Sequence, residues 1–110
     1  MQFKGVSANG GKVTGKLCIV SDVNQFEHCT IEHVVLLNKV KPNAALVKKV
    51  KGVLAIHGGI TSHAAIAARE NNKPAIVGLP ENMIENVKDG DMIEMNADTG
   101  IVEKLYEKTN

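Results

Sequence analysis

The stretch that decides the fold of this chain is Gly58-Gly59-Ile60-Thr61-Ser62-His63-Ala64-Ala65-Ile66-Ala67-Ala68-Arg69. It follows a short apolar run, residues 52–56, which has the length of a buried strand. The alanine-rich part favours a helix, which the polar run before Pro74 ends. The stretch therefore predicts a strand, a glycine turn and a helix, with Thr61 or Ser62 as the N-cap.

His63 falls in the first turn of this predicted helix. Unpaired N–H groups and the positive end of the helix dipole make a helix start attractive to anions. The same potential disfavours an imidazolium ring, so we expect His63 to be neutral and able to act as a nucleophile. We expect Gly58 and Gly59 to supply positive φ angles or a close backbone approach. The stretch thus indicates an anion site that contains a nucleophile.

The Gly-Gly-x-Thr-x-His pattern of residues 58–63 closely resembles the phosphohistidine site of the phosphoenolpyruvate-utilising enzymes. That family includes pyruvate phosphate dikinase, phosphoenolpyruvate synthase and the first enzyme of the bacterial sugar phosphotransferase system. Residues 73–78 are similar to the strand that follows the family's helix, and residues 88–91 and 98–102 are similar to its closing hairpin. Residues 13–16 also fit, so the resemblance covers most of the chain.

The resemblance implies a mixed α/β fold, the swivelling β/β/α phosphohistidine domain, over residues 1–110. It also implies that His63 is transiently phosphorylated and carries phosphate from a nucleotide or other donor site to a phosphoenolpyruvate, pyruvate-type or other acceptor site. In the family these sites belong to separate nucleotide-binding and phosphoenolpyruvate-binding domains. Neither fits in 110 residues, since a (β/α)8 barrel alone needs about 250 residues. We therefore expect a phosphotransferase component, excised or stand-alone, that works with partner domains. We expect no cofactor in this domain and Mg²⁺ in the partner domains.

The motif also implies residues that bind or support the phosphate: Gly58, Gly59, Thr61, Ser62 and Arg69. Either hydroxyl could hold a phosphoryl oxygen as well as cap the helix. Arg69 lies six positions after His63, about 240° around a helix, so it cannot stand directly beside that histidine. A structural or interface role for Arg69 therefore stays open.

The chain departs from the family pattern just before the glycines. Ala55 and Ile56 stand where family members usually have threonine and an acidic residue. This difference keeps a second hypothesis open, a non-catalytic module that binds an anion or a partner while His63 stays unphosphorylated.

Composition excludes several other classes of function. The net charge is +1 and only 3% of residues are aromatic, without a basic block, so we expect no binding to nucleic acid or membrane surfaces. Cys18 and Cys29 are too few for a disulfide framework, and we expect reduced thiols in a cytoplasmic protein. His28 and His33 stand near Cys29, but without a C-x-x-C pair we expect no metal site.

The remaining elements are predicted from apolar runs and turn residues. Predicted strands cover residues 2–7, 12–20, 33–38, 75–78, 91–96 and 101–105, and two further helices begin at Pro42 and Pro80. Residues 20–31 have no clear pattern, and residues 106–110 are predicted to be a polar tail.

Overall fold

The computed structural model describes residues 1–106. These residues form a mixed α/β domain in which helices pack on a single sheet. The strands are β1 (Gln2–Lys4), β2 (Val6–Asn9), β3 (Lys12–Val20), β4 (His33–Leu37), β5 (Gly52–Ile56), β6 (Ala75–Leu79), β7 (Met92–Asn96) and β8 (Ile101–Tyr106). The α-helices are α1 (Ala44–Lys49), α2 (His63–Glu70) and α3 (Asn82–Asn86), and a 3₁₀ helix covers Val23–His28. The predicted polar tail falls mainly on residues 107–110, which lie outside the described residues.

The eight strands form a single sheet in the order β1-β8-β7-β3-β4-β5-β6-β2. Strands β3, β4, β5 and β6 are parallel neighbours, and the other pairs are antiparallel. Consecutive apolar residues in β4 and β5 explain the parallel centre, because such strands are covered on both faces. The predicted mixed α/β fold and the closing β7–β8 hairpin are both confirmed.

Gly5 connects the two edge strands of the sheet, β1 and β2. It alone separates β1 from β2, yet β1 pairs with β8 at one edge and β2 pairs with β6 at the other. The Gly5 N–H donates to the Gly100 carbonyl at 2.8 Å. A Cβ on Gly5 would overlap the Val77 carbonyl oxygen and lie 2.7 Å from Ile76 Cγ2. Only glycine therefore lets the chain pass directly from one edge of the sheet to the other.

The sheet, whose two edge strands are joined through Gly5, separates two apolar layers. Along β5, Leu54 and Ile56 belong to an inner core shared by strands from both ends of the order. The alternate residues Val53 and Ala55 face a second core, which α1 and α2 cover. This alternation follows from the period of two along a strand, and it yields the predicted β/β/α layering.

Four local predictions need correction. The last short helix, α3, begins at Asn82 and not at Pro80. Residues 2–7 are not one strand, because the chain is divided at Gly5. The first α-helix does not begin at Pro42, since Asn43 is its N-cap and accepts a hydrogen bond from the Leu46 N–H at 2.8 Å. The unpatterned residues 20–31 contain the 3₁₀ helix, which opens with an Asp22 capping box.

The two cysteines form a disulfide. Cys18 lies in β3 and Cys29 follows the 3₁₀ helix, and their Cα atoms are 5.8 Å apart, within the usual range for this bond. Both residues are buried. The prediction of two reduced thiols is wrong because it rested on the cysteine count alone, whereas the fold brings the two segments together.

We predict that Gly5→Ala destabilises the protein strongly. The added methyl group meets a backbone oxygen of β6 that cannot move without breaking the sheet, and such overpacking costs about 1–3 kcal/mol or more. Urea unfolding measures the loss. Gly59→Ala is the control, since no atom lies within 4 Å of its added Cβ. Equal stability of the two variants would contradict this close approach at Gly5.

His33 should make the stability depend on pH. Burial lowers the pKa of His33 below 6.5, against the opposing charges of Glu32 and Asp89. Its Nδ1 also accepts a hydrogen bond from the Thr30 N–H at 2.9 Å. The unfolded chain therefore binds a proton before the folded chain does, and stability falls as the pH drops below about 6.5.

The test is urea unfolding of His33→Gln and of the wild type at pH 7.5 and pH 5.5. The variant should lose less stability on acidification than the wild type. His28→Gln removes an exposed histidine and should lose as much as the wild type. An unchanged pH dependence in His33→Gln would refute the assignment.

Candidate functional site

The loop between β5 and α2 is held in place by strand β6. The His57 N–H donates to the Leu79 carbonyl at 3.0 Å, and the Gly78 N–H donates to the His57 carbonyl at 2.8 Å. Gly78 has a φ of 67°, and a Cβ there would lie 3.2 Å from the Gly58 oxygen. The start of the loop is thus tied to a strand that is buried in the sheet.

The two motif glycines have different roles. Gly58 has a φ of 80°, in the left-handed region that favours glycine. Gly59 is not among the residues with positive φ, and a Cβ on it would meet nothing within 4 Å. The prediction of positive φ or close approach is therefore confirmed for Gly58 and wrong for Gly59.

Helix α2 begins with Ser62 as its N-cap. The Ser62 Oγ accepts a hydrogen bond from the Ala65 N–H at 3.3 Å, so Ser62 is the cap of the two predicted candidates. Thr61 lies exposed in the turn before it. Ala64, Ala65 and Ala68 are buried and pack this helix against the sheet.

His63 is the first residue of α2 and is exposed. Helix geometry leaves the N–H groups of the first turn without acceptors in the helix, and no acidic residue stands in that turn. An anion held at the ring would therefore meet donors and a favourable dipole.

A cavity of about 280 Å³ opens beside His63. Its polar lining comes from Lys39, Lys41, His57, Ser62 and His63, and apolar side chains, among them Ala55 and Ile56, line the rest. None of the described residues that line it is acidic. The volume lies just below the roughly 300–1,000 Å³ typical of small-molecule pockets. The cavity therefore has room for a small anion.

Arg69 supports the loop from the far side of α2. Its guanidinium donates to the Ile60 carbonyl in the loop, and also to the Ala8 carbonyl of β2 at 3.3 Å. Of the two roles that the sequence left open, these contacts fit the structural one. Arg69 joins the loop before His63 to an edge strand.

Sequence reasoning missed a cluster of charges at the rim of the cavity. Lys39 follows β4 and is hydrogen-bonded and ion-paired to Glu81, and His57 Nε2 lies 3.7 Å from the same Glu81 oxygen. The hydrogen bond and charge of Lys39 lower the pKa of Glu81, and His57 adds to the effect. Strand order brings these residues together, and no local motif signals it.

Residues 1–106 offer neither a metal-binding cluster nor a membrane-spanning helix. No three His, Cys, Asp or Glu side chains in this part of the chain are grouped so that they could hold a metal ion. No helix within the same residues is both long and apolar enough to cross a membrane.

Fold and site together define a class of protein. It is a small β/β/α domain that presents an exposed histidine at a helix start, beside a cavity lined with basic side chains. The family described as the mobile domain of the PEP-utilising enzymes matches residues 32–100, which include His63. The chain belongs to this family, as its motif predicted.

Curated relatives carry the names of phosphotransferases and synthases. An uncharacterised phosphotransferase of Bacillus subtilis, YvkC, is 34% identical over 97 residues, covering 87% of this chain and 12% of the relative. A phosphoenolpyruvate-protein phosphotransferase of Mycoplasma genitalium is 47% identical over 72 residues, covering 63% of this chain and 12% of the relative. A probable phosphoenolpyruvate synthase of Methanothermobacter thermautotrophicus is 27% identical over 100 residues, covering 90% of this chain and 14% of the relative. The chain thus spans 12–14% of the length of these relatives.

Solved structures agree on the fold. An NMR structure of Enzyme I has a TM-score of 0.57 at 34% identity, over 71% of this chain and 32% of that one. The crystal structure of aconitase X from Thermococcus kodakaraensis has a TM-score of 0.76 at 16% identity, covering 96% and 98%. At that identity the second likeness concerns the fold alone.

Alanine substitutions should separate the two motif glycines. Gly58→Ala is expected to cost about 1–2 kcal/mol of unfolding free energy, because an L-residue is strained at its φ angle. Gly59→Ala is expected to stay within about 0.5 kcal/mol of the wild type. Urea unfolding compares the two, and a reversed order of stability would contradict the loop geometry.

Proposed function

We propose that this chain is a phosphoryl-carrier domain whose carrier residue is His63. The single observation that carries the proposal is the exposed position of His63 at the start of α2, inside the segment that matches the mobile-domain family. The small cavity with basic side chains supports it, because it offers room and charge for a phosphoryl group.

The proposed chemistry is nucleophilic transfer in two steps. An unprotonated ring nitrogen of His63 attacks phosphorus, the N–P bond forms, and the P–O bond of the donor breaks with its electron pair leaving on oxygen. In the second step an acceptor oxygen attacks the same phosphorus. The N–P bond then breaks, and the ring nitrogen recovers its electron pair.

The donor and acceptor sites belong, in this proposal, to other domains. The chain corresponds to only a small part of relatives named as phosphoenolpyruvate synthase and phosphoenolpyruvate-protein phosphotransferase. We propose nucleotide-binding and phosphoenolpyruvate-binding partners, with Mg²⁺ bound at the partner sites and the reaction in the cytoplasm.

The support residues are also part of the proposal. Gly58 shapes the loop, Ser62 caps the helix and Arg69 holds the Ile60 carbonyl. The open space around Gly59 and the exposed Thr61 leave both free to approach a phosphoryl group or a partner domain.

One observation favours a second function, a non-catalytic module that binds an anion or a partner. Ala55 and Ile56 are buried apolar residues in the cavity wall, so they offer no polar group to orient the histidine ring. In that case His63 would take part in binding without ever carrying phosphate.

We predict that His63→Ala abolishes phosphoryl acceptance and leaves the fold intact. Since His63 is exposed, the change should move the unfolding free energy by no more than about 0.5 kcal/mol. The assay is labelling by ³²P-phosphoenolpyruvate with Mg²⁺ and the phosphoenolpyruvate-binding region of a relative. The adduct should be labile in acid and stable in base.

His28→Gln is the matched control, because it removes another exposed histidine outside the cavity beside His63. It should accept phosphate as the wild type does. Labelling of His63→Ala at the wild-type level would refute the carrier role. A wild-type chain that is never labelled, yet binds the partner region, would support the non-catalytic module.

A further inference from the structure

One carboxylate lies between two basic side chains at the rim of the cavity beside His63. Glu81 Oε1 is ion-paired with Lys39 Nζ and lies 3.7 Å from His57 Nε2. Lys39 and His57 both line the cavity, whereas Glu81 does not. Each of these two basic side chains therefore lines the cavity that His63 also lines, and contacts a carboxylate that does not line it.

The backbone holds both bases at this place. Lys39 and His57 follow the neighbouring parallel strands β4 and β5, and their φ angles are 62° and 63°. In the described residues only one other non-glycine residue, Asn72, has a positive φ. Residues other than glycine rarely adopt a positive φ, so the surrounding structure must hold this backbone conformation in place. For His57 the two hydrogen bonds to β6 do so.

The Lys39–Glu81 pair can exchange partners at little cost. The two side chains are 55% and 61% exposed, so water already solvates both and their attraction is weakly stabilising. A phosphoryl group carries more negative charge than a carboxylate and offers three acceptor oxygens. A phosphoryl group on His63 would thus compete well for both bases.

We propose that Lys39 and His57 bind the phosphoryl group of phosphorylated His63, and that Glu81 holds these two side chains in the unphosphorylated protein. The inference rests on the proposed function, which it deepens by naming the ligands of the phosphoryl group. When His63 is phosphorylated, Lys39 and His57 exchange their contacts with Glu81 for contacts with the phosphoryl group. When the phosphoryl group is transferred, they bind Glu81 again.

The test uses phosphoramidate, a small anionic donor that needs no partner domain. A ring nitrogen of His63 attacks phosphorus, and a new N–P bond to the ring forms. The P–N bond of phosphoramidate breaks with its electron pair on the protonated amine nitrogen, which leaves as ammonia. ³¹P NMR then follows the second ionisation of the phosphoryl group against pH. Nearby cations favour the dianion, so this ionisation should occur at lower pH in the protein than in free phosphohistidine.

Lys39→Met should raise the midpoint of this ionisation by about 0.5 pH unit, the effect of one exposed charge pair. His57→Asn removes the ring as a hydrogen-bond donor to the phosphoryl group and should shift the midpoint in the same direction. Lys48→Met is the matched control, since it removes an exposed lysine that does not line the cavity. It should leave the midpoint unchanged. Melting temperatures of all variants check that each one folds.

Glu81→Gln tests the resting state. Without the carboxylate, Lys39 is released toward the cavity, and His63 should react with phosphoramidate about two- to fivefold faster than in the wild type. Lys39→Met should react more slowly by a similar factor. An unchanged rate in Glu81→Gln would overturn the role of that carboxylate.

The proposal fails if Lys39→Met and His57→Asn keep the wild-type midpoint, or if Lys48→Met shifts it as much as they do. It also fails if phosphoramidate modifies His28 and leaves His63 untouched. Failure of the carrier function looks different. His63 would then react with phosphoramidate but accept no phosphate from ³²P-phosphoenolpyruvate and the partner region.

Discussion

The parallel pairing of β4, β5 and β6 is the interaction on which the rest of the structure depends. Parallel strands place their carboxyl ends at one edge of a sheet, and here Lys39 follows β4 while His57 follows β5 at that edge. Strand β6 then hydrogen-bonds the loop that begins at His57. The site thus combines the loop that leads from His57 to His63 with Lys39, which is distant in sequence.

Burial on both faces keeps this arrangement rigid. The inner core and the helices enclose β5 from opposite sides, and all five of its residues are buried. Ala64 and Ala65 seat the first turn of α2 directly on the sheet, while the adjacent His63 stays exposed. Because close-packed interiors deform little, the exposed ring is presented by a rigid scaffold.

Sequence patterns predicted the elements that depend on local composition. The strands over residues 12–20 and 52–56 appear with the predicted bounds, since each is a run of strand-forming residues closed by turn signals. The start of α2 followed from its cap and its alanines. These features need only neighbours along the chain.

Features that depend on distant pairing were missed. Nothing local marks Gly5 as the point where two sheet edges meet, and nothing local pairs Cys18 with Cys29. Two adjacent glycines also look equivalent in sequence, yet Gly58 has a positive φ and Gly59 does not. Hydrogen bonds from β6 fix His57, the residue just before Gly58. In each case a contact made by another strand decides the outcome.

The replacement of the family's usual threonine and acidic residue by Ala55 and Ile56 changes how the histidine can be oriented. Both side chains are apolar and line the cavity, so they neither bond the ring nor repel a phosphoryl group. The carboxylate of Glu81 does not line the cavity, and it is ion-paired with Lys39, which does. In the proposed site, orientation depends on the helix cap, on the loop anchored by β6 and on Arg69, while Lys39 and His57 would recognise the charge. The proposed site thus separates positioning, which backbone contacts provide, from binding, which would fall to exposed side chains.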